Sequence, residues 1–332
     1  MSTPLSRRDM LRGAAGFASL SALPASVLSR SALAQAAYPN RTLTYIVPFS
    51  PGGSTDFVAR LLAEQITAQT KQQVIVDYKI GASGVIAANH LVRSTQPDGY
   101  TLFGGTNNYF TTLPRMQKIE YDPNKDLIPV AMTGDAFMPL AVNPSLPVKN
   151  LQDLIAYAKA NPGRLVWASS GVGSTNHLSY HYFRSRTGTN IKHISYRGAT
   201  EAFTALLGNE VHIVADTGST EFILDGKMRG IAILGKNRWD RLPDVPTVEE
   251  AGLPDWRLRS WHTVMVKGGT SREICTTLNT MINGFLAQPA IRTKLRGFGL
   301  DPAVVSLDDL AERIRADRET FGPVIEVALN EK

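Results

Sequence analysis

The chain holds one cysteine, Cys275, in 332 residues. An intramolecular disulfide is therefore excluded, even in an oxidising compartment. Cys275 lies in the helical pattern Ile274-Cys-Thr-Thr-Leu278, which assigns it to packing rather than to thiol chemistry. Charge is also sparse. Only 19% of residues are charged and the net charge is +6. Half of that excess comes from the first 36 residues, where Arg7, Arg8, Arg12 and Arg30 outweigh Asp9. What remains is mildly basic without a basic stripe, so nucleic acid is not an expected partner. Beyond the N-terminal stretch no segment approaches the roughly 20 apolar residues that span a bilayer. Neither a P-loop nor a Gly-x-Ser-x-Gly elbow nor a paired-acid signature is present. Gly171-Val-Gly-Ser-Thr-Asn176 lacks the third glycine of a dinucleotide fingerprint. His177 and His181 are four apart, but no acid or cysteine accompanies them in a zinc pattern. No metal and no cofactor is expected.

What is there begins with an address. Ser6-Arg-Arg-Asp-Met-Leu-Arg12 precedes a mildly apolar stretch, 13–28, broken by Pro24 and followed by Ala32-Leu-Ala-Gln-Ala36. A basic start, an apolar middle and an Ala-x-Ala end make an export signal. The adjacent arginines resemble the twin-arginine type. Residues 1–36 are expected to be cleaved near Ala36, leaving a periplasmic protein of about 296 residues, long enough for two domains.

The mature pattern alternates strand and helix. Strands are expected at 43–49, 74–78, 100–103, 127–130 and 140–142, with helices at 55–68 and from 81–84 to 94. Asn150 caps a helix over 151–160. A second round follows: strands at 165–169, 191–194, 211–215 and 231–234, helices at 175–186 and 200–207. A strand at 261–266 returns to the first domain. The tail is helical, with starts at Ser271, Pro289 and Ser306. This order predicts an α/β fold of two lobes, each a mostly parallel sheet flanked by helices, joined by two crossing strands near 141–143 and 258–263. Lobe 1 is 37–142 plus 259–332 and lobe 2 is 143–258. A cleft between such lobes closes around a ligand.

Two loops in that cleft carry the chemistry. In the first, a strand runs through Phe49, Pro51, Gly52 and Gly53 into a helix that Ser54 or Thr55 caps, with Asp56 in its first turn. In the second, Ser169, Ser170 and Gly171 lead to Ser174, Thr175 and His177. Strand, glycine loop and helix start together aim backbone N–H groups and a helix dipole at one spot, which holds an anion without Lys or Arg. Asn107 and Asn108 follow the third strand and offer amides to a neutral ligand group. Arg197 offers a bidentate fork or is a solvated surface residue. Asp216, ending a strand, receives an ammonium or hydroxyl or caps a helix.

These residues resemble the tripartite tricarboxylate transporter solute receptors, the Bug-type periplasmic binding proteins. The matching segments include Val47-Pro-Phe-Ser-Pro-Gly-Gly-Ser-Thr-Asp56, Gly81-Ala-Ser-Gly84, Pro97-Asp-Gly-Tyr-Thr-Leu102 and Ser169-Ser-Gly-Val-Gly-Ser174. Tyr196-Arg-Gly198 and Leu242-Pro-Asp-Val-Pro-Thr247 extend the match over nearly the whole mature chain. The resemblance implies a two-lobe periplasmic binding fold of type II-like form that grips a small organic carboxylate with 49–56 and 170–177. It places Asp216 against the variable end of the solute. The implied partners are membrane permease subunits of a tripartite tricarboxylate-type transporter, or a sensor kinase. The chain departs from the family's usual pattern at Ser83, at Arg197, at 104–108 and at the Trp261-His262 pair. The expected function is a non-enzymatic receptor that captures a carboxylate and delivers it to that transporter. The rival readings are an exported α/β hydrolase, which would turn over an ester or amide, and a ligand-sensing adaptor without a transport role.

Overall fold

Apolar strands followed by amphipathic helices order the chain into two α/β halves. The computed structural model describes residues 38–330, Arg257 excepted. The expected signal at 1–36 lies outside the described residues. The first half opens with β1 (Leu43–Val47), α1 (Ser54–Thr70), β2 (Val74–Tyr78), α2 (Val85–Ser94) and β3 (Thr101–Thr106). A short helix α3 (Leu113–Met116) and a long strand β4 (Leu127–Ala136) follow. The second half holds β5 (Pro139–Val142), α4 (Leu151–Ala160), β6 (Val166–Ser169), α5 (Thr175–Thr187) and β7 (Lys192–Ser195). It continues with α6 (Ala199–Leu207), β8 (Ile213–Ala215), α7 (Thr220–Leu224) and β9 (Arg229–Ile233). The chain then returns as β10 (Trp261–Lys267), α8 (Arg272–Leu286), α9 (Pro289–Phe298), β11 (Leu300–Asp301) and α10 (Leu307–Asn330).

The strands form two sheets, ordered β11-β4-β10-β3-β1-β2 and β7-β6-β8-β5-β9. Each is mixed. It is parallel where consecutive strand–helix rounds built it and antiparallel where strands arriving from the other half join. Residues alternate between faces, as strand geometry requires. Leu43, Tyr45 and Val47 enter one core with α1 and α8, while Ile46 enters another with α2. In the second sheet Ile213 and Ala215 face one core and Val214 the other. Both sheets are thus covered on both faces, which is why their strands read as near-continuous apolar runs.

The passages between sheets differ from expectation. β5 pairs with β8 and β9 of the second sheet, so the first passage falls at Phe137 and Met138, a few residues before 141–143. The return runs through 234–260. The two passages are bonded together: Ala136 N–H donates to Ser260 O at 2.8 Å and Leu234 N–H to Met138 O at 2.8 Å. The C-terminal helix belongs to both halves. Leu310 and Ile314 of α10 pack in the first, whereas Phe321, Val324, Ile325 and Ala328 pack with Leu178, Phe183 and Trp256 of the second.

Candidate functional site

Both glycine-containing loops sit at the carboxyl ends of parallel strands, where open α/β sheets collect ligands. They face each other across a cavity of ≈ 60 Å³. One ordered water needs about 10–15 Å³, so the space suits a small molecule and not a polymer. Phe49, Gly53 and Ser54 line it from the first half, with Asn108 beyond β3; Ser170, Ser174, Thr175 and Asp216 line it from the second. The bonded passages contribute Ala136, Met138 and Ser260.

Three helix N-termini meet at this cavity. α1 starts after Gly53 without a side-chain cap, and its first turn lines the wall through Ser54 and Thr55. α5 presents Thr175 and Asn176, with Ser174 as its cap through a 3.3 Å bond from His177 N–H. α6 starts after Gly198 without a side-chain cap and presents Ala199. The first N–H groups of a helix have no intrahelical partner and carry the positive end of its dipole. No Lys or Arg lines the cavity among the described residues. Whatever attraction it offers an anion therefore comes from peptide groups.

Asp56 braces the first loop from behind. Its carboxylate accepts from Gly52 N–H at 2.8 Å, Arg60 Nε at 2.9 Å and the Tyr78 hydroxyl at 2.5 Å. The second loop rests on neutral groups. Ser169 Oγ accepts from Gly171 N–H at 3.2 Å and lies 2.7 Å from His193 Nε2. His177 Nδ1 accepts from Gly173 N–H at 3.3 Å, and its Nε2 is 3.3 Å from His181 Nε2. Burial pulls the His177 imidazole down to about 2, helped by His193 and His181, and pulls His193 down to about 4, helped by His181. Among the described residues no group of three metal-ligating side chains is arranged to hold an ion. The Ser169–His193 pair has the spacing of a nucleophile and its base. Ser169 is fully buried, however, and is not in the cavity wall.

The halves touch around the cavity. Ser83 Oγ donates to Val172 O at 2.6 Å, Thr200 Oγ1 donates to Pro51 O at 3.3 Å, and Gln117 Nε2 donates to Val172 O. The glycines of the second loop permit this approach. Gly171 has φ +125° and a Cβ there would lie 2.2 Å from Ser83 Oγ; Gly173 has φ +84° and a Cβ there would lie 2.8 Å from a Leu113 methyl. Ser83 itself has φ +54°, a left-handed conformation that costs a non-glycine residue roughly 1–2 kcal/mol and that its bond across the cleft offsets.

Half of the expected residues thus fall in the wall and half do not. Pro51 and Gly52 form an exposed tip against the second half. Asp56, Ser169 and His177 lie behind their loops, and Gly171 lies where the halves touch. Asn107 turns away: its amide donates to Arg259 O at 3.0 Å and to Asp317 at 2.8 Å, tying β3 to α10. Arg197 is exposed at a separate, open depression with Val172 and Glu201. Asp216 accepts from Gly218 N–H at 2.9 Å and from Asn176 Nδ2 at 3.4 Å. Burial nevertheless pushes its carboxyl up to about 6. Ser50, Thr55 and Asn176 also line the wall, inside the expected 49–56 and 170–177, and Thr106 inside 104–108. Ala199 and Thr217 were not expected there, besides the passages, and His262 stands out from sequence only as a departure from the family pattern. Ala199 was readable as the first-turn position of a helix after a glycine. His262 was not, since strand register brings it in.

A cavity held between two α/β halves and walled by helix N-termini defines the two-lobe class of solute-binding proteins. R. palustris Rpa4515, solved with adipate, matches with a TM-score of 0.84 at 35% identity over 88% of this chain and 98% of that one. MatC from Rhodopseudomonas palustris, with bound malate, matches with a TM-score of 0.81 at 28% identity over 87% and 100%. The chain belongs to the tripartite tricarboxylate transporter family of receptors, whose model matches residues 58–329. Protein BugT of Bordetella pertussis is 37% identical over 294 residues, covering 87% of this chain and 89% of its own. The family is one of solute receptors, not of enzymes.

Proposed function

We propose that this protein is a periplasmic receptor, exported through residues 1–36, that captures a small organic carboxylate between its lobes and hands it to the membrane subunits of a tripartite tricarboxylate-type transporter. One observation carries the reading: three helix N-termini, drawn from both lobes, meet at one small cavity with no Lys or Arg in its wall. Such a site binds an anion through fixed dipoles and releases it without breaking an ion pair. The adipate and malate held by the two R. palustris relatives support the solute class. The division into two lobes belongs to the same proposal, with 139–142 given to the second lobe, where β5 pairs, as do the wall residues as ligand contacts. A sensor kinase partner has no support in the comparisons.

Thermal-shift and calorimetric titration with mono- and dicarboxylates tests it. A solute at about 100 times its Kd should add roughly 2.7 kcal/mol. Gly53→Val should abolish that gain and leave the fold intact. Gly53 has φ −83° and ψ 177°, and a Cβ there meets nothing nearer than Ser50 O at 3.9 Å, so the new methyls enter the cavity without backbone strain. Undiminished affinity in folded Gly53→Val would remove this loop from the site.

A further inference from the structure

One part of the wall is left once the helix N-termini are set aside. β10 lies beside β3 with His262 directly paired to Thr106. On its other side, pairing with β4 jumps from His262–Gly134 to Thr263–Met132. Thr133 is left over as a bulge, a device that re-aims side chains at strand ends. His262 is 4% exposed and lines the cavity. Its imidazole has no hydrogen-bond partner among the described residues, and burial alone pulls it down to about 4. It is therefore neutral near pH 7, with one N–H donor and one lone pair.

Asn108 stands in the same wall. Thr106 Oγ1 donates to its Oδ1 at 2.5 Å, which engages the amide oxygen and fixes the amide's orientation. The Nδ2 group, in a residue 1% exposed, has no partner. The unpartnered Asn108 Nδ2 and the His262 imidazole thus belong to residues of one cavity wall. The charged side chain sharing that cavity is Asp216. A second carboxylate on the solute would find donors here but no cation, with an acid in the same small space. A neutral amide or hydroxyl would find both donors and an acceptor.

We propose that Asn108 and His262 form a subsite for a neutral polar group, so that the receptor selects a small monocarboxylate bearing a primary amide or hydroxyl. The matching dicarboxylate and the unsubstituted acid should bind less well. This inference rests on the carboxylate reading above and narrows its solute class.

Calorimetric titration of the signal-free chain with two matched sets tests it: succinamate, succinate and butyrate, then glutaramate, glutarate and valerate. In at least one set the amide should bind about tenfold or more tighter than its two partners. His262→Ala should shrink that gap to within about threefold. His262→Gln, which can donate and accept, should keep most of it. Should His262→Ala fail to fold, Asn108→Ala supplies the same comparison. A dicarboxylate or plain acid binding as tightly as the amide in both sets overturns the inference and leaves carboxylate capture standing. So does an amide preference untouched in the folded variant. If none of the six binds, carboxylate capture itself falls and this inference with it.

Discussion

The two loops that meet at the cavity have the same outline and opposite support. The first is open at its tip, where Pro51 and Gly52 are exposed, and is held from behind by an ionic group, Asp56, tied to Arg60 and Tyr78. The second is buried from Gly173 through His181 and held by the neutral Ser169, Ser174, Asn176, His177 and His193, with His181 beside them. A buried loop cannot leave a charge uncompensated and must satisfy every polar atom locally. An exposed loop can lean on a carboxylate whose partner guanidinium stays in water. The first loop is thus built to tolerate rearrangement and the second to keep its shape.

Acid should separate the two most strongly. His177 and His193 have folded values depressed below 6.5, to about 2 and about 4. The stability they support is present above pH 6.5 and lost as pH falls from there toward 4, because the unfolded chain takes protons that the fold refuses. Asp216 works in reverse. Raised from 3.8 to about 6, it favours the fold as pH falls through that interval. His177 and His193 against one raised aspartate leave a net loss on the order of 1 kcal/mol per pH unit between 6 and 4 in the second lobe, to which the lowered His212 adds. His262, also depressed to about 4, adds to it. Urea melts from pH 7.5 to 4.5 should show the decline, and Asp216→Asn should steepen it. A flat or rising profile would mean the histidines accept protons in place.

Ser174→Ala comes next. It removes the cap that accepts from His177 N–H at 3.3 Å and one donor to Gly171 O and to Asn176 Oδ1, which keep their bonds from Ser174 N–H and from Ser170. The expected cost is about 1–2 kcal/mol in chemical denaturation. Asp56→Asn in the first loop should cost less, about 1 kcal/mol, because Arg60 is 61% exposed and water replaces it. Equal losses in the two variants would erase the contrast. Arg197→Ala should matter least, with carboxylate affinity within about twofold of wild type, since the side chain lies outside the cavity. A tenfold loss would bring it back to the site.

Much of this was legible wherever the signal was local. Residues 74–78 form β2, and 151–160 form α4, capped as expected by Asn150 accepting from Asp153 N–H. Ser306 caps α10 as expected, accepting from Asp309 N–H at 3.1 Å, but its Oγ and not its backbone N–H donates to the Asp309 carboxylate, so half of the capping box forms. The glycine loops were readable for the same reason, but α1 starts after Gly53 without the side-chain cap expected of Ser54 or Thr55. What failed to show depends on distant partners. β4 extends to Ala136, well past 130, because β10 and β11 pair with its far half. β5 joins the second sheet because β8 and β9 claim it. Asn107 and Asn108 are adjacent and equally polar, yet Asp317 draws one away and the cavity receives the other. No local pattern could separate them.

The C-terminal helix has a mechanical consequence. Its early turns are seated in one core and its late turns in the other, so it works as a strut clamped at both ends. The lobes cannot part without flexing or unseating it. Pro323 lies inside the helix, just past Phe321, where the second seating begins. Proline supplies no N–H to the carbonyl one turn back, so the rod is weakest there. Flexure concentrated at that point would let each clamped end stay packed while the molecule gapes, and would give the gaping motion a restoring force.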